Sequence, residues 1–545
     1  MNEKANPSKD PLMDFPVVIV GAGPSGLLLA NLLGQAEIKT LIIDKNKSVS
    51  QHPKAILLDD EGFRSLQAIG VADKVKENCV MGYGARYYNE NQECFAKIES
   101  WTGEYGYPRR NSCLQPELEK VLVDRLKNWP SLTFLREHEL TSFTQDDNQV
   151  HSFLDSPKGK IEVKSKLLLG CDGGKSFVRE TLGIPLEGFD AECDWLVVDT
   201  ENDKDQDRFT KFICDYKRPT VSIPAPRGGR RYEFMIMKED SSQDMLNFET
   251  IQNLIKPLRK NLNKEDLARA ALYRFHARVA TKFLEGRSLL VGDACHMSPP
   301  FAGQGMNAGL RDSQNLAWKI ARVIKKQSSL KLLETYAEER LKNIREMIQF
   351  AVSLGDIVMP KTELDSKVMS TLWKLTNLIP EAREYVQKMK FKPKPHCQSG
   401  AFVFTTEKKK EEQHTGKLFP QPLVQKLNQE AVLLDEILGN DFALIGVGLK
   451  SLGKLQTLSH IALEEKKIKR VLLLKEGTTR QQVPTYNTEV AYLTNKTLTD
   501  QSFEILHEEE KIYLLRPDRY ILLESHPDDI LELFEKIGMT LHYTL

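Results

Sequence analysis

Three stretches of this chain set glycines beside a carboxylate at spacings suited to a phosphorylated, polyhydroxylated ligand. In the stretch from Gly286 to Ile324, Asp293 closes the apolar run Leu289–Leu290–Val291, and Pro299, Pro300, Gly303, Gly305, Met306 and Asn307 lead into a long helix. A carboxylate at a strand's end suits a sugar or polyol hydroxyl. Backbone N–H groups freed by glycines at a helix start suit a partially negative group. Near the N-terminus, Gly21-Ala22-Gly23-Pro24-Ser25-Gly26 is followed, 18 residues after Gly26, by Asp44 and its neighbour Lys45. The third stretch, Cys171-Asp172-Gly173-Gly174, runs into Arg179.

The elements around these residues decide how much they mean. Phe15–Val20 has the composition of a buried parallel strand, the glycines follow it directly, and LLLANLLGQ reads as the next helix. A second apolar run, Thr40–Ile43, delivers Asp44. This is the βαβ dinucleotide pattern in full context. Gly21 permits the turn, Gly23 lets a pyrophosphate approach, Gly26 lets helix and strand pack, and Asp44 is placed for ribose hydroxyls. Asp172 and Arg179 repeat the logic after the apolar run Val163–Leu169, where they are placed to order the first loop and meet a pyrophosphate or second nucleotide. A flavin dinucleotide carries all the groups these motifs ask for.

The remaining pattern implies an α/β protein of several domains. Short strand-like runs between Asp190 and Met237 (Leu196–Val198, Lys211–Cys214, Thr220–Ile223, Tyr232–Met237) predict an antiparallel sheet distinct from the βαβ unit, a natural substrate wall. Asn261–Ala270 reads as a helix. Beyond it, Tyr273, Phe275 and Val279 alternate as a strand with Arg274, His276 and Arg278 on its other face. Helices are expected over Thr335–Leu354 and Leu364–Lys390. After the charged run Glu407–Glu412, the order Phe442–Ile445, Val471–Leu474, Ile512–Leu515, Tyr520–Leu523 and a terminal helix from Asp528 is thioredoxin-like in outline, without a CxxC pair.

Composition bounds the function. With 76 basic and 76 acidic residues the net charge is zero, which argues against a nucleic-acid or anionic-membrane surface. The eight cysteines are dispersed, so no metal site is expected and reduced thiols in a cytoplasmic protein are. The polar N-terminus lacks the apolar core of a signal peptide, and no unbroken apolar run approaches the ~20 residues of a membrane span.

GAGPSG with Asp44, CDGGKSFVR, and GDACHMSPPFAGQGMN, in that order, resemble the single-component FAD-dependent aromatic hydroxylases, the para-hydroxybenzoate hydroxylase family. HPKAILLDDE, YPRRNSCLQPELE and the C-terminal pattern are most similar to the 3-(3-hydroxyphenyl)propionate hydroxylase-like phenol monooxygenases. The resemblance implies a Rossmann-like FAD-binding domain (1–80, 108–186, 280–400) with an interleaved antiparallel-sheet substrate domain (81–107, 187–279). A linker (401–414) and a thioredoxin-like domain (415–545) follow. It implies that Gly21, Gly23, Ser25, Gly26, Asp44 and Lys45 hold the adenosine half of FAD and that Asp172 and Arg179 serve FAD and transiently docked NAD(P)H. Asp293 would bind the ribityl chain, with Lys54, Gln115, Pro300 and Gly303 beside the flavin. The Gly305-Met306-Asn307 helix start would face its N1/O2 edge. Lys54 departs from the usual arginine, exchanging a fork for a point charge.

The implied reaction is reduction of FAD by NAD(P)H, addition of O2 at flavin C4a, and hydroxylation of a phenolic ring by the resulting hydroperoxide. Pro300 and, as a base, His276 are the candidate catalytic residues. Arg218, Arg230, Arg231 and Arg278 are candidates to meet a substrate carboxylate, and Tyr216 and Tyr232 to line the pocket. A homodimer is implied by the same resemblance. The alternatives are a polyketide-tailoring oxygenase or epoxidase on another ring system, and a non-catalytic flavin-binding protein. The five tryptophans never form the WxWxIP-like motif expected of a flavin halogenase.

Overall fold

A computed structural model describes the chain apart from residues 1–11, 51–53, 260, 406–408, 427, 458–467, 476–487, 495–500, 509, 527–535 and 543–545. His52, Pro53 and most of the helix expected from Asp528 lie outside the described residues.

The dinucleotide pattern folds as its spacing predicts. Leu12–Val20 is the central strand, helix Pro24–Gln35 follows, and Thr40–Asp44 pairs parallel to the first strand, Val17 opposite Thr40. Leu132–Arg136 extends the sheet on that side, and Gly159–Gly170 and Ser288–Leu290 on the other, all parallel. Parallel strands buried on both faces need continuous apolar runs. Val17, Leu41, Leu168 and Leu289 accordingly show no exposure. The strand order brings the C-terminal ends of Leu12–Val20, Gly159–Gly170 and Ser288–Leu290 side by side, so the loops carrying Gly21, Asp172 and Asp293 emerge together at one edge.

The second sheet has eight strands in the order His296–Met297, Leu267–Ala280, Leu186–Thr200, Arg230–Met235, Thr220–Pro224, Phe209–Ile213, Gly84–Tyr88 and Cys94–Ile98. Its strand Leu267–Ala280 corrects the helix expected over Asn261–Ala270. Only Lys264–Asp266 makes a 3-10 turn, and from Leu267 onward the chain pairs with Leu186–Thr200, opposite Thr200. Long-range pairing overrides local helix propensity there.

One face of this sheet, with Leu196, Val198, Tyr232 and Phe234, packs on helix Phe248–Ile255 through Ile251 and Ile255. The other face, with Trp195, Val221, Met235 and Phe275, packs against Phe301 and Ala302 of the Asp293 loop and against Ala351 and Leu354 of helix Lys331–Val358. The helices expected after Leu364 are two, Glu363–Thr376 and Pro380–Gln387, because Pro380 takes the first position of the second.

The third sheet lies C-terminal. Ala443–Val447 is parallel to Lys469–Lys475 and antiparallel to Lys511–Leu515, which pairs antiparallel with Ile521–Ser525. It is joined to the first unit by fully buried charge. The Arg516 guanidinium donates to both Glu339 oxygens (2.9 and 2.8 Å) and to Asp518, and Lys319 Nζ lies 2.9 Å from Glu339. Arg64 forks onto Asp435 at 2.7 and 2.9 Å.

Candidate active site

The first loop is shaped by two glycines that tolerate nothing else. Gly21 has φ +102°, and a Cβ there would lie 2.4 Å from the Cys171 carbonyl oxygen; a Cβ on Gly26 would lie 2.1 Å from the Gly21 oxygen. Gly23 differs, because a Cβ there meets no atom within 4 Å. It is the extended N-cap of helix Pro24–Gln35 and makes no side-chain cap, so no capping side chain satisfies the first-turn N–H groups. Asp44 shapes the loop, its Oδ2 accepting from Ala22 N at 2.8 Å and its Oδ1 from Asn46 N at 2.7 Å. Lys45, next to it, is exposed and stands 3.7 Å from Glu139. Ser25 wedges between loops, close enough to Gly292 and Gly309 that a Cβ on either would strike its Oγ.

Asp172 holds the start of the helix after it, whose N-cap is Ser176. Its carboxylate accepts from Ser176 Oγ (2.5 Å) and Val178 N (3.1 Å), while burial pushes its pKa up against those bonds. Arg179 is buried and donates to the carbonyls of Gly174 (2.9 Å) and Ala294 (3.3 Å). It stitches the second loop to the third with both carbonyls as partners. The expectation from the sequence is that it orders the first loop and meets a pyrophosphate; the bonds it makes instead join the second and third loops.

Asp293 is crowded by protein, which raises its carboxyl pKa against the pull of His296 and Lys54, yet its side chain is exposed. Ten residues on, Gly303 takes the left-handed conformation (φ 62°, ψ 34°) and starts the 21-residue helix Gln304–Ile324 without a side-chain cap. Gly305, like Gly23, has nothing within 4 Å of a would-be Cβ. Met306 is half-buried beside it. Asn307 is fully buried and spent on packing: Nδ2 donates to Leu57 O (3.0 Å) and Gly303 O (2.7 Å), and Oδ1 accepts from Asp59 N (3.0 Å). Gln115 Oε1 holds the backbone of Lys54 (3.2 Å) and Ala55 (3.0 Å), leaving the Lys54 side chain exposed. Pro300 opens a 3-10 turn whose next residue, Phe301, meets the second sheet.

That meeting is aromatic. Trp195, Phe275 and Phe301 form a triangle with ring centroids 5.6 to 5.8 Å apart. Side chains alternate along a strand, so with Phe275 toward Phe301, His276 lies on the opposite face. There its Nδ1 is 2.6 Å from Asp190, which also binds Arg278 at 2.6 Å. This corrects His276 as the base, since it does not join the loops. Tyr232 is also on the far face, donating to Asp203 at 2.9 Å. Tyr216 is half-buried in the turn after Phe209–Ile213. Arg218 is taken by Asp240 and Arg278 by Asp190. Arg230 is buried on Ser222 and backbone carbonyls. Arg231 lies on the near face, forked on Asp199 (2.7 and 3.1 Å) and donating to Lys54 O at 2.9 Å. His296 is buried on Asp312 (2.6 Å), which Arg340 also holds; burial would raise that carboxyl, but the two partners bring it down to about 2.

Two uncapped helix starts, two glycines open where the dinucleotide pattern wants phosphate and ring, and an exposed carboxylate at the end of strand Ser288–Leu290 fit an extended flavin dinucleotide. A cavity of about 350 Å³ elsewhere, lined by Arg64, Arg125, Arg311, Asp435 and Tyr520, involves none of these loops.

Comparison with known proteins agrees. Residues 14–351 match the family described as FAD binding domain, and residues 416–539 match the HcaD C-terminal domain. The 3-(3-hydroxy-phenyl)propionate/3-hydroxycinnamic acid hydroxylase of Escherichia coli (strain SMS-3-5 / SECEC) is 38% identical over 437 residues, 80% of this chain and 78% of that one. The chain belongs to the FAD-dependent aromatic hydroxylases. Among solved structures, this hydroxylase superposes on the flavin-dependent monooxygenase PieE in complex with FAD and substrate, with TM-score 0.78, 19% identity and coverage of 97% and 99%. It superposes on aklavinone-11 hydroxylase with FAD and aklavinone with TM-score 0.73, 20% identity and coverage of 99% and 100%. At those identities the likeness is one of fold. The hydroxylase is a flavoprotein monooxygenase; the loops, not the fold alone, must account for its chemistry.

Sequence reasoning missed the aromatic triangle, the Arg231–Asp199 fork and the buried Glu233 beside it, because nothing local says which face of a strand looks toward the flavin loops.

Proposed function

We propose that this hydroxylase uses NAD(P)H and O2 to introduce a hydroxyl group into a phenolic ring, with 3-(3-hydroxyphenyl)propionate the first substrate to try. The bound flavin supplies reducing equivalents and oxygen activation. The chain's own residues bind, orient and exclude water. Gly21, Gly23, Ser25, Gly26, Asp44 and Lys45 serve the adenosine half of FAD. Asp293, Gly303, Gly305 and Met306 serve its ribityl and ring portions. Asp172 and Arg179 order the loops between, Gln115 fixes the Lys54 backbone beside the ring, and Asn307 fixes the helix start by packing. The observation that carries this reading is the aromatic triangle Trp195–Phe275–Phe301. It sets an apolar wall directly against the loop that holds Asp293 and Pro300, where an aromatic substrate would lie dry beside a flavin.

The domain limits given above, a homodimer and a cytoplasmic location belong to the same proposal. No helix among the described residues is long and apolar enough to cross a membrane. The C-terminal strand order, with Ala443–Val447 flanked by one parallel and one antiparallel partner, supports a thioredoxin-like domain. Without a CxxC pair its role is a structural or oligomerising one. The test is O2 and NADH or NADPH consumption by the yellow protein across phenols with and without carboxylate side chains. A catechol product supports the reading. Consumption that yields only H2O2 moves the substrate to another aromatic. A protein that retains no flavin overturns the reading.

A further inference from the structure

Removing a proton from a phenol oxygen makes the ring a better nucleophile, and His276 is on the wrong face to do it. The near face of the second sheet carries another acceptor. Glu233, in strand Arg230–Met235, pairs across to Val197 and Val221, and its diagonal neighbour is Trp195, which pairs with Met235. Glu233 therefore shares its face with Trp195, Met235 and Val221, the residues that pack against Phe301 and Ala302 of the flavin loop. The residue is 8% exposed. Its carboxylate has no hydrogen-bond partner among the described residues, although buried carboxylates ordinarily find one. Trp195 shows no exposure, and its Nε1 donor is equally without an acceptor. A carboxylate without a donor and an indole N–H without an acceptor among the described residues, diagonal to each other beside apolar side chains, suit a ligand that brings one hydroxyl.

We propose that Glu233 is a catalytic residue of this hydroxylase, the base that accepts the phenol proton of the bound substrate. This rests on the aromatic-hydroxylase reading above. The proton passes from the phenol oxygen to a Glu233 carboxylate oxygen, and the electron pair of the O–H bond stays on the ring oxygen. No oxidant or reductant is consumed in that step. Arg231 on the same strand and Asp199 on the neighbouring strand face Glu233, with Arg269 and Tyr273 of strand Leu267–Ala280 beyond Asp199. Strand Thr220–Pro224, the Phe301 turn and helix Lys331–Val358 contribute apolar side chains. Burial raises the Glu233 carboxyl, Arg231 opposes it, Asp199 adds to it, and the balance stands at about 7. A base poised there is about half ionised at neutral pH and able to take a proton.

The experiment compares a phenol substrate with its methyl ether in the flavin-loaded wild type and in Glu233→Gln, measuring Kd by calorimetry and kcat against pH. The wild type is expected to bind the phenol at least roughly tenfold more tightly than the ether, the worth of a hydrogen bond to a charged group. In Glu233→Gln that ratio collapses toward one, kcat falls about 100-fold or more, and the acid limb of kcat near pH 7 disappears, while flavin content is unchanged. Glu233→Asp, which keeps the charge, is expected to keep the limb. A wild-type phenol-to-ether ratio of one, or an acid limb that survives in Glu233→Gln, overturns the proposal and leaves the hydroxylase reading standing. A wild type that hydroxylates no phenol instead removes the reading on which the proposal rests.

Discussion

Asn307 reaches back 248 residues to Asp59, accepting its backbone N–H at 3.0 Å while donating to the carbonyl of Leu57 at 3.0 Å. The start of the long helix is thereby pinned to the chain that leaves Lys54, and two distant segments are fixed to each other by one side chain.

Asn307→Ala leaves that N–H and the Leu57 carbonyl buried without this partner. Each such group costs about 1–3 kcal/mol, so the melting temperature of the apoprotein should drop markedly. Loss of flavin should follow as a consequence. Equal melting of variant and wild type would mean the bonds carry no weight.

Gly21 and Gly23 sit two residues apart and should respond in opposite ways to alanine. Gly21→Ala forces a side chain at φ +102° into the Cys171 carbonyl, and destabilisation of at least ~1–3 kcal/mol is expected with or without flavin. Gly23→Ala meets nothing in the protein, so apoprotein stability should stay within ~0.5 kcal/mol. Flavin absorbance after gel filtration should nevertheless be lost. A Gly23→Ala protein that stays yellow would remove the pyrophosphate from this loop.

Acid should unfold this protein through its buried carboxylates. Burial alone would raise Glu339, but Arg516 and Lys319 outweigh it and hold it at about 2, and His296 and Arg340 do the same for Asp312. Both folded-state values lie below the ordinary carboxylate range of ~4. Their stabilisation is therefore complete above ~4 and is lost as the pH falls toward ~2. Thermal melts across that window should steepen downward, and Asp312→Asn should flatten the slope.

His276→Ala should leave hydroxylation intact and change stability by about 0.5 kcal/mol or less, because the ring only completes a half-exposed pair with Asp190. Steady-state turnover with the best phenol checks it. Loss of activity without loss of flavin would return His276 to the site.

What could be read from the chain follows the range of the interaction. The turn at Gly21, the opening at Gly23 and Asp44 at the next strand's end are local consequences of a βαβ unit, and they were legible. The position of Asn307 was legible too, but not its work, since its partners lie 248 and 250 residues away. Residues 267–270 carry helical composition and become strand only because Leu186–Thr200 is there to pair with. Glu233 was invisible for the same reason, as its value depends on which face of a distant sheet meets Phe301.

The buried Arg516–Glu339 pair has a consequence for how the chain is made. Glu339 and Lys319 lie on helices that leave the ribosome long before Arg516 does, so the nascent chain carries Glu339 with Lys319 beside it but without the guanidinium that later grips both its oxygens. A desolvated charge without its partner costs several kcal/mol. The last thirty residues thus complete a charge cluster begun on helices Gln304–Ile324 and Lys331–Val358, and the earlier part of the chain reaches its final electrostatic balance only when Arg516 arrives.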